Sequence, residues 1–166
     1  MAQNVTNEYL VEVSIAAQRL RLLKNDDIIM DVAISTAVNG PGEESGSECT
    51  PRGWHKVRAK IGTDTEENTV FVGRRPTGEI YGPPLRQQHP QRDWVLTRIL
   101  WLCGMEVGKN RLGSVDTMRR YIYIHGCPAE DEMGAPSSHG CIKMRNEDVI
   151  ALFDVIPVGT RVLIQE

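Results

Sequence analysis

The sequence predicts a mainly β domain with two helices. Three observations lead there. Short runs rich in β-branched residues recur along the chain, bounded by turn residues. Two stretches are crowded with glycine and proline, which suits connections between strands. Helical patterns are few and do not alternate with strands, so a doubly wound parallel sheet is not expected.

In chain order, Tyr9-Leu10-Val11-Glu12-Val13-Ser14-Ile15 reads as the first strand, β-branched-rich although its alternation is imperfect. Arg19-Leu20-Arg21-Leu22 alternates cleanly and forms the second. Asn25-Asp26-Asp27 is a turn signal, and residues 28–35 return from it, which makes an antiparallel meander. Residues 39–53 form a loop, and strands resume at residues 54–61 and Thr69–Val72. A second loop covers residues 74–91. Residues 93–103 read as the first helix, with Asp93 to cap it and Gly104 to stop it. Arg120-Tyr121-Ile122-Tyr123-Ile124 is a strong strand running into His125-Gly126, and a loop follows to Ser138. Residues 147–156 read as the second helix, with Asn146 as N-cap and Pro157 beyond its end. Thr160-Arg161-Val162-Leu163-Ile164 closes the chain as a strand.

The 166 residues fit one domain, 1–166, large enough for a core without cross-links. A net charge of −3 argues against a protein that tracks nucleic-acid phosphates. No apolar run approaches the roughly 18 residues of a membrane helix. Residues 1–25 carry Asn4, Glu8, Glu12, Gln18, Arg19, Arg21 and Lys24 at close intervals, where a secretory leader has a basic start and then an apolar stretch. The expectation is a cytoplasmic monomer, or a periplasmic protein whose leader is missing from this sequence. Of the four cysteines, Cys103 sits in an apolar run and reads as a small buried hydrophobe, and Cys49 as an inert loop residue.

The other two belong to an internal echo, His125-Gly126-Cys127 and His139-Gly140-Cys141. One reading is nucleophilic catalysis. A thiol attacks carbonyls only as thiolate, so it needs a base to take its proton. His125, at the end of a strong strand, is rigidly placed for that. Gly140 lets the backbone turn sharply before Cys141, and amides there can stabilise an oxyanion. Cys127 precedes Pro128, which has no N–H to offer, whereas Cys141 is expected near a helix N-terminus that favours thiolate. A second reading is zinc held by the two His-x-Cys pairs, although structural zinc sites usually space their ligands as Cys-x₂₋₄-Cys. A third is two structural glycine turns.

At these residues the chain resembles the YkuD-type L,D-transpeptidase catalytic domain. That family carries a His, a variable stretch, then Ser/Thr-His-Gly-Cys, an apolar residue and usually Asn or Arg. Here the pattern is His125-Gly126, then Ser138-His139-Gly140-Cys141-Ile142-Lys143. Thr50-Pro51-Arg52-Gly53, Gln18-Arg19-Leu20 and Gly159-Thr160-Arg161-Val162 are similar to other family segments. The resemblance implies a YkuD-like sandwich or mixed-sheet domain without metal or cofactor. Cys141 matches the nucleophile, His125 its base, and the Gly126 carbonyl the group that orients the base. The backbone around His139, Gly140 and Cys141 matches the oxyanion hole, with Ser138 supporting the loop. Lys143 departs from the pattern. It keeps the charge of Arg but lacks the two-pronged geometry, which loosens any grip on a substrate carboxylate. Cys127 is a second departure, either a bystander or an oxidation-sensitive neighbour of Cys141. Arg52, Trp54, Arg119 and Tyr123 are further candidates for lining the substrate, chosen for their nearness to the motifs. The implied substrate is a peptidoglycan stem tetrapeptide or soluble muropeptide, cleaved between its diamino acid and terminal D-Ala through a thioester. With no leader legible, hydrolysis in muropeptide recycling is the expected outcome. Cross-linking by an exported enzyme is the alternative, and a non-catalytic wall-peptide-binding module a minor one.

Overall fold

Residues 8–166 are described by the computed structural model; residues 1–7, with Asn4 of the leader reading, lie outside the described residues. The expected meander is present. β1 (Tyr9–Ser14), β2 (Arg19–Lys24) and β3 (Asp27–Ser35) pair antiparallel in succession. Asn25 and Asp26 make the tight turn at positive φ, a conformation that Asn and Asp tolerate better than most residues.

Two parallel pairings then curl the sheet. β10 (Arg161–Gln165) lies parallel to β1 and antiparallel to β4 (Gly53–Ile61). On the other side β3 meets β9 (Ile142–Met144), which lies parallel to β8 (Tyr123–Gly126). β8 pairs with β7 (Val95–Gly104), and β7 also pairs with β4, so the mixed sheet closes on itself like a barrel. β5 (Thr69–Val72) and β6 (Arg75–Ile80) form a hairpin hung on the outer end of β7.

Helix α2 (Asn146–Val155) buries Val149, Leu152 and Phe153 in the main core with Leu100, Leu102, Ile124, Ile142 and Met144. Each such chain contributes roughly 1.5–3 kcal/mol on burial. No side chain caps the helix N-terminus, so packing rather than capping holds α2 in place.

Four expectations need correction. Residues 93–103 are not helical but form most of β7, a strand paired on both sides and buried along most of its length. A continuous apolar run carries no period that separates a buried strand from a helix. The helix that accompanies α2 is instead α1 (Pro83–Gln88), inside the stretch expected to be a loop, where β6 also lies; Pro83 and Pro84 start it, as proline suits the first helical positions. The strand expected over residues 120–124 begins only at Tyr123, because Tyr121 takes a positive φ in the turn before it. Finally, β9 separates Cys141 from α2, whose N-cap is Arg145 rather than Asn146. The helix dipole therefore gives Cys141 no direct help.

Candidate active site

The parallel β8–β9 ladder positions the two halves of the motif. Its register pairs Ile124 with Ile142, His125 with Lys143 and Gly126 with Met144. Paired residues share a face, and faces alternate along a strand. Ile124, Ile142 and Met144 point into the core. Tyr123, His125 and Lys143 therefore occupy the opposite face, and Cys141, one residue before Ile142, joins them there.

Cys141 is partly buried against a small apolar cluster of Phe71, Ile99 and Tyr123. Its Sγ donates to the Tyr121 carbonyl at 3.5 Å and accepts from the Tyr123 amide at 3.3 Å. Desolvation pushes the thiol up to about 12, although the Tyr123 amide and Arg120 pull the other way. His125 is buried, and its Nδ1 meets the Gly126 carbonyl at 2.6 Å. A carbonyl only accepts, so Nδ1 carries the hydrogen and Nε2 is left with the lone pair that a base needs. Burial lowers the pKa of His125, with the Gly126 bond acting against the shift. The resting pair is thus neutral thiol and neutral imidazole. In this arrangement Sγ is held by backbone groups rather than by the His125 ring; contacts of this kind often tighten only when substrate binds.

The loop that carries Cys141 is built from polar contacts. Ser138 Oγ donates to the Cys141 carbonyl at 2.6 Å and accepts from the Gly140 amide at 3.2 Å. Thr50 Oγ1 donates to the Gly140 carbonyl at 2.9 Å and accepts from the Ala37 amide at 3.0 Å. Gly140 has φ +132, and an added Cβ would lie 3.0 Å from Ile122 Cδ1 and 3.2 Å from the Cys49 carbonyl. Only glycine fits that backbone and space. With the Gly140 amide taken by Ser138, the amides of His139 and Cys141 are the ones left to meet an oxyanion. Arg120 ties down the neighbouring 42–49 loop, donating to the Cys49 carbonyl at 2.6 Å and to those of Gly42 and Glu43 at 3.3 Å.

Replacing Ser138 by alanine leaves the Gly140 amide and Cys141 carbonyl without this partner. The expected loss is about 1–3 kcal/mol of stability, because both groups lie in a closed loop. A fall in kcat of about tenfold should accompany it as the loop loosens. Thermal melts beside single-turnover kinetics check both.

Other expected residues divide. Tyr123 adjoins Cys141 through its amide. His139 is exposed, 4.0 Å from Asp93 Oδ2, and with Arg119 lines a surface pocket bounded by Glu48, Arg120 and Ile122. Lys143 does not reach out to a substrate. Its ammonium pairs with Asp131 at 2.8 Å and donates to Ser137 Oγ at 3.1 Å, tying the preceding loop to the sheet. Arg52 pairs with Glu43 and Glu166, and Trp54 lies under Arg161 on the far strand pairing β4–β10. Cys127 is buried and donates to the Met144 carbonyl. Met144 is three residues beyond Cys141, about 10 Å at the rise of a strand, too far for a disulfide. Among the described residues no three His, Cys, Asp or Glu side chains converge as a metal site, so the two His-x-Cys triplets do not form the zinc cage considered above.

Sequence reasoning missed Arg120, which was read as part of a strand, and the support behind His125. There β7 bulges: its register with β8 jumps from Leu96–Gly126 to Ile99–His125. Thr97, inside the bulge, holds a φ of +75 that a β-branched residue rarely adopts. Its Oγ1 donates to Asn146 Oδ1 at 2.8 Å, and Asn146 Nδ2 donates to Asn68 Oδ1 at 2.8 Å. The only sequence signal was Asn146 itself, which reads equally well as an ordinary helix cap.

The family model for the L,D-transpeptidase catalytic domain (YkuD) matches residues 8–164. The putative L,D-transpeptidase YqjB of Bacillus subtilis is 54% identical over 43 residues, 26% of this chain and 24% of that protein. The probable L,D-transpeptidase YbiS of Escherichia coli is 51% identical over 43 residues, 26% of this chain and 14% of that protein. The matches thus span about a quarter or less of those relatives' lengths. Among solved structures, an L,D-transpeptidase from Mycobacterium smegmatis superposes with a TM-score of 0.56 at 18% identity, over 96% of this chain and 59% of that one. L,D-transpeptidase 3 from Mycobacterium tuberculosis, in complex with a faropenem-derived adduct, gives 0.59 at 16%, over 96% and 61%. At such identities the likeness is one of fold, while the family match covers nearly every described residue: this chain belongs to the YkuD family of L,D-transpeptidase catalytic domains.

Proposed function

We propose that this domain is a cysteine acyltransferase that cleaves peptidoglycan stem tetrapeptides between the diamino acid and the terminal D-Ala. The observation that carries this is the shared face of Cys141 and His125 on the β8–β9 ladder, with the Gly126 carbonyl fixing the His125 tautomer. Nε2 takes the thiol proton as Sγ attacks the carbonyl of the diamino acid's L-centre. The oxyanion that forms faces the amides of Cys141 and His139. The C–N bond then breaks, His125 returns the proton to the departing D-Ala amine, and a thioester remains on Cys141. An acceptor activated by the same imidazole releases the acyl group. No step calls for a metal or cofactor.

The acceptor we assign is water. Cys141 is only partly buried, which supports access of solvent to the thioester. The enzyme is then an L,D-carboxypeptidase that trims soluble muropeptides, and a cytoplasmic location follows from that role. The names of the relatives support a second reading, in which the acceptor is the side-chain amine of another stem peptide and the product a cross-link. Incubation with a soluble tetrapeptide, alone and with excess amine acceptor, decides between them. Tripeptide and free D-Ala should dominate in both mixtures; dominant cross-linked dimer would replace hydrolysis by transpeptidation. Absence of D-Ala release from any stem peptide would overturn both.

A further inference from the structure

Arg74 stands out beside the nucleophile. The β5–β6 hairpin turns on Gly73 and Arg74, with φ of +55° and +64°. Tight hairpin turns of this kind favour glycine, asparagine or aspartate at both positions. An arginine there holds a disfavoured backbone, and such outliers point to a task for the side chain.

The side chain reaches back over the sheet towards Cys141. Its guanidinium lies 4.9 Å from the Trp101 ring centroid and 4.8 Å from that of Tyr121, and Nη1 donates to the Tyr123 hydroxyl at 3.0 Å. The Tyr121 carbonyl and Tyr123 amide are the two groups that hold Cys141 Sγ. Tyr123 thus links guanidinium and thiol: its hydroxyl meets Arg74 and its amide meets Cys141 Sγ. The interacting neighbours of Arg74 are tyrosines and a tryptophan, and among the described residues no carboxylate pairs with it. Stacking fixes the plane of the guanidinium and leaves most of its five donors uncommitted. Tyr123, accepting from Arg74, keeps its own hydroxyl hydrogen to give.

We infer that Arg74 and the Tyr123 hydroxyl form a carboxylate-binding subsite that grips one carboxylate of the peptide substrate and so sets the acyl donor over Cys141. A planar fork beside a second donor matches the two oxygens of a carboxylate. This rests on the stem-peptide reading for the identity of the substrate. It also gives the hold on a substrate carboxylate that Lys143, engaged with Asp131, does not supply. A stem tetrapeptide offers three candidate carboxylates: those of the D-Glu, of the diaminopimelate side chain and of the terminal D-Ala.

The test pairs Arg74→Gln and Arg74→Lys with tetrapeptides in which each carboxylate is amidated in turn. Arg74→Gln should lower kcat/KM on the unmodified peptide on the order of 30-fold or more, mainly through KM. Arg74→Lys should recover part of that loss. Amidating the carboxylate that Arg74 holds should weaken the wild type by a similar factor and leave the Gln variant unchanged. Equal losses on all peptides, or a loss confined to kcat with a lowered melting temperature, would reduce Arg74 to a structural tie. Calorimetry of peptide binding to Cys141→Ala, with and without Arg74→Gln, separates the two readings. Arg74-dependent binding without turnover by the wild type keeps the subsite and rejects the reaction. Turnover and binding that ignore Arg74 reject the subsite alone. Absence of both turnover and binding rejects both.

Discussion

Cys141→Ala protein should release D-Ala from a stem tetrapeptide at least ~10³-fold more slowly than the wild type, since no acyl intermediate can form. The ionisation state of the pair predicts how the wild type responds to pH. Burial pushes the Cys141 thiol up to about 12 and lowers the His125 pKa below that of a free imidazole, about 6.5. The reactive form therefore needs His125 deprotonated and lets Cys141 keep its proton until attack. kcat/KM should rise with pH through an acid limb below 6.5 and then stay level to about pH 9. Iodoacetamide, which reads thiolate alone, should modify Cys141 at neutral pH ~10-fold or more slowly than free cysteine. Rapid alkylation at pH 6 would mean a preformed thiolate–imidazolium pair and would reject the neutral resting state.

How much of this was legible in the sequence depends on whether a feature is local. The β1–β3 meander was readable because Arg19-Leu20-Arg21-Leu22 alternates and Asn25-Asp26 suits its turn. Cys141 and His125 were readable because the glycine turn and the motif lie within a few residues of each. β7 was misread because both of its faces are covered, Leu100 and Leu102 by the main core and Ile99 by Phe71 and Tyr123, which removes the alternation. β9 is three residues long and exists only through its neighbours β3 and β8, so no run of its own announced it. Lys143 suggested a substrate contact by position in the motif. Its true partner, Asp131, comes from a loop whose path no periodicity encodes. Arg74 and Thr97 carry their information in backbone angles, which the identity of an arginine or a threonine does not reveal.

Gly126→Ala carries the second large expected effect, because it acts on the base without touching either reacting atom. A Cβ at residue 126 would lie 2.3 Å from Asn146 Oδ1 and 2.7 Å from the Leu96 carbonyl. Neither can yield easily. Asn146 is held at both ends of its amide by Thr97 and Asn68, and Leu96 is backbone paired in register with Gly126 itself. The Gly126 carbonyl must therefore shift, and with it the 2.6 Å contact to His125 Nδ1. Overpacking of this kind costs roughly 1–3 kcal/mol, a fall in melting temperature of about 3–10 °C for a chain of this size. Displacing the base by about an ångström lowers kcat on the order of 100-fold. The pH profile distinguishes misplacement from simple instability. The Gly126 bond favours protonated His125, so losing it lowers the His125 pKa further and moves the acid limb of kcat/KM to lower pH. Instability alone would reduce the fraction of active enzyme and leave the limb where it was. If Gly126→Ala keeps both wild-type kcat and the wild-type acid limb, the carbonyl does not orient the base, and the tautomer of His125 must be set by another group.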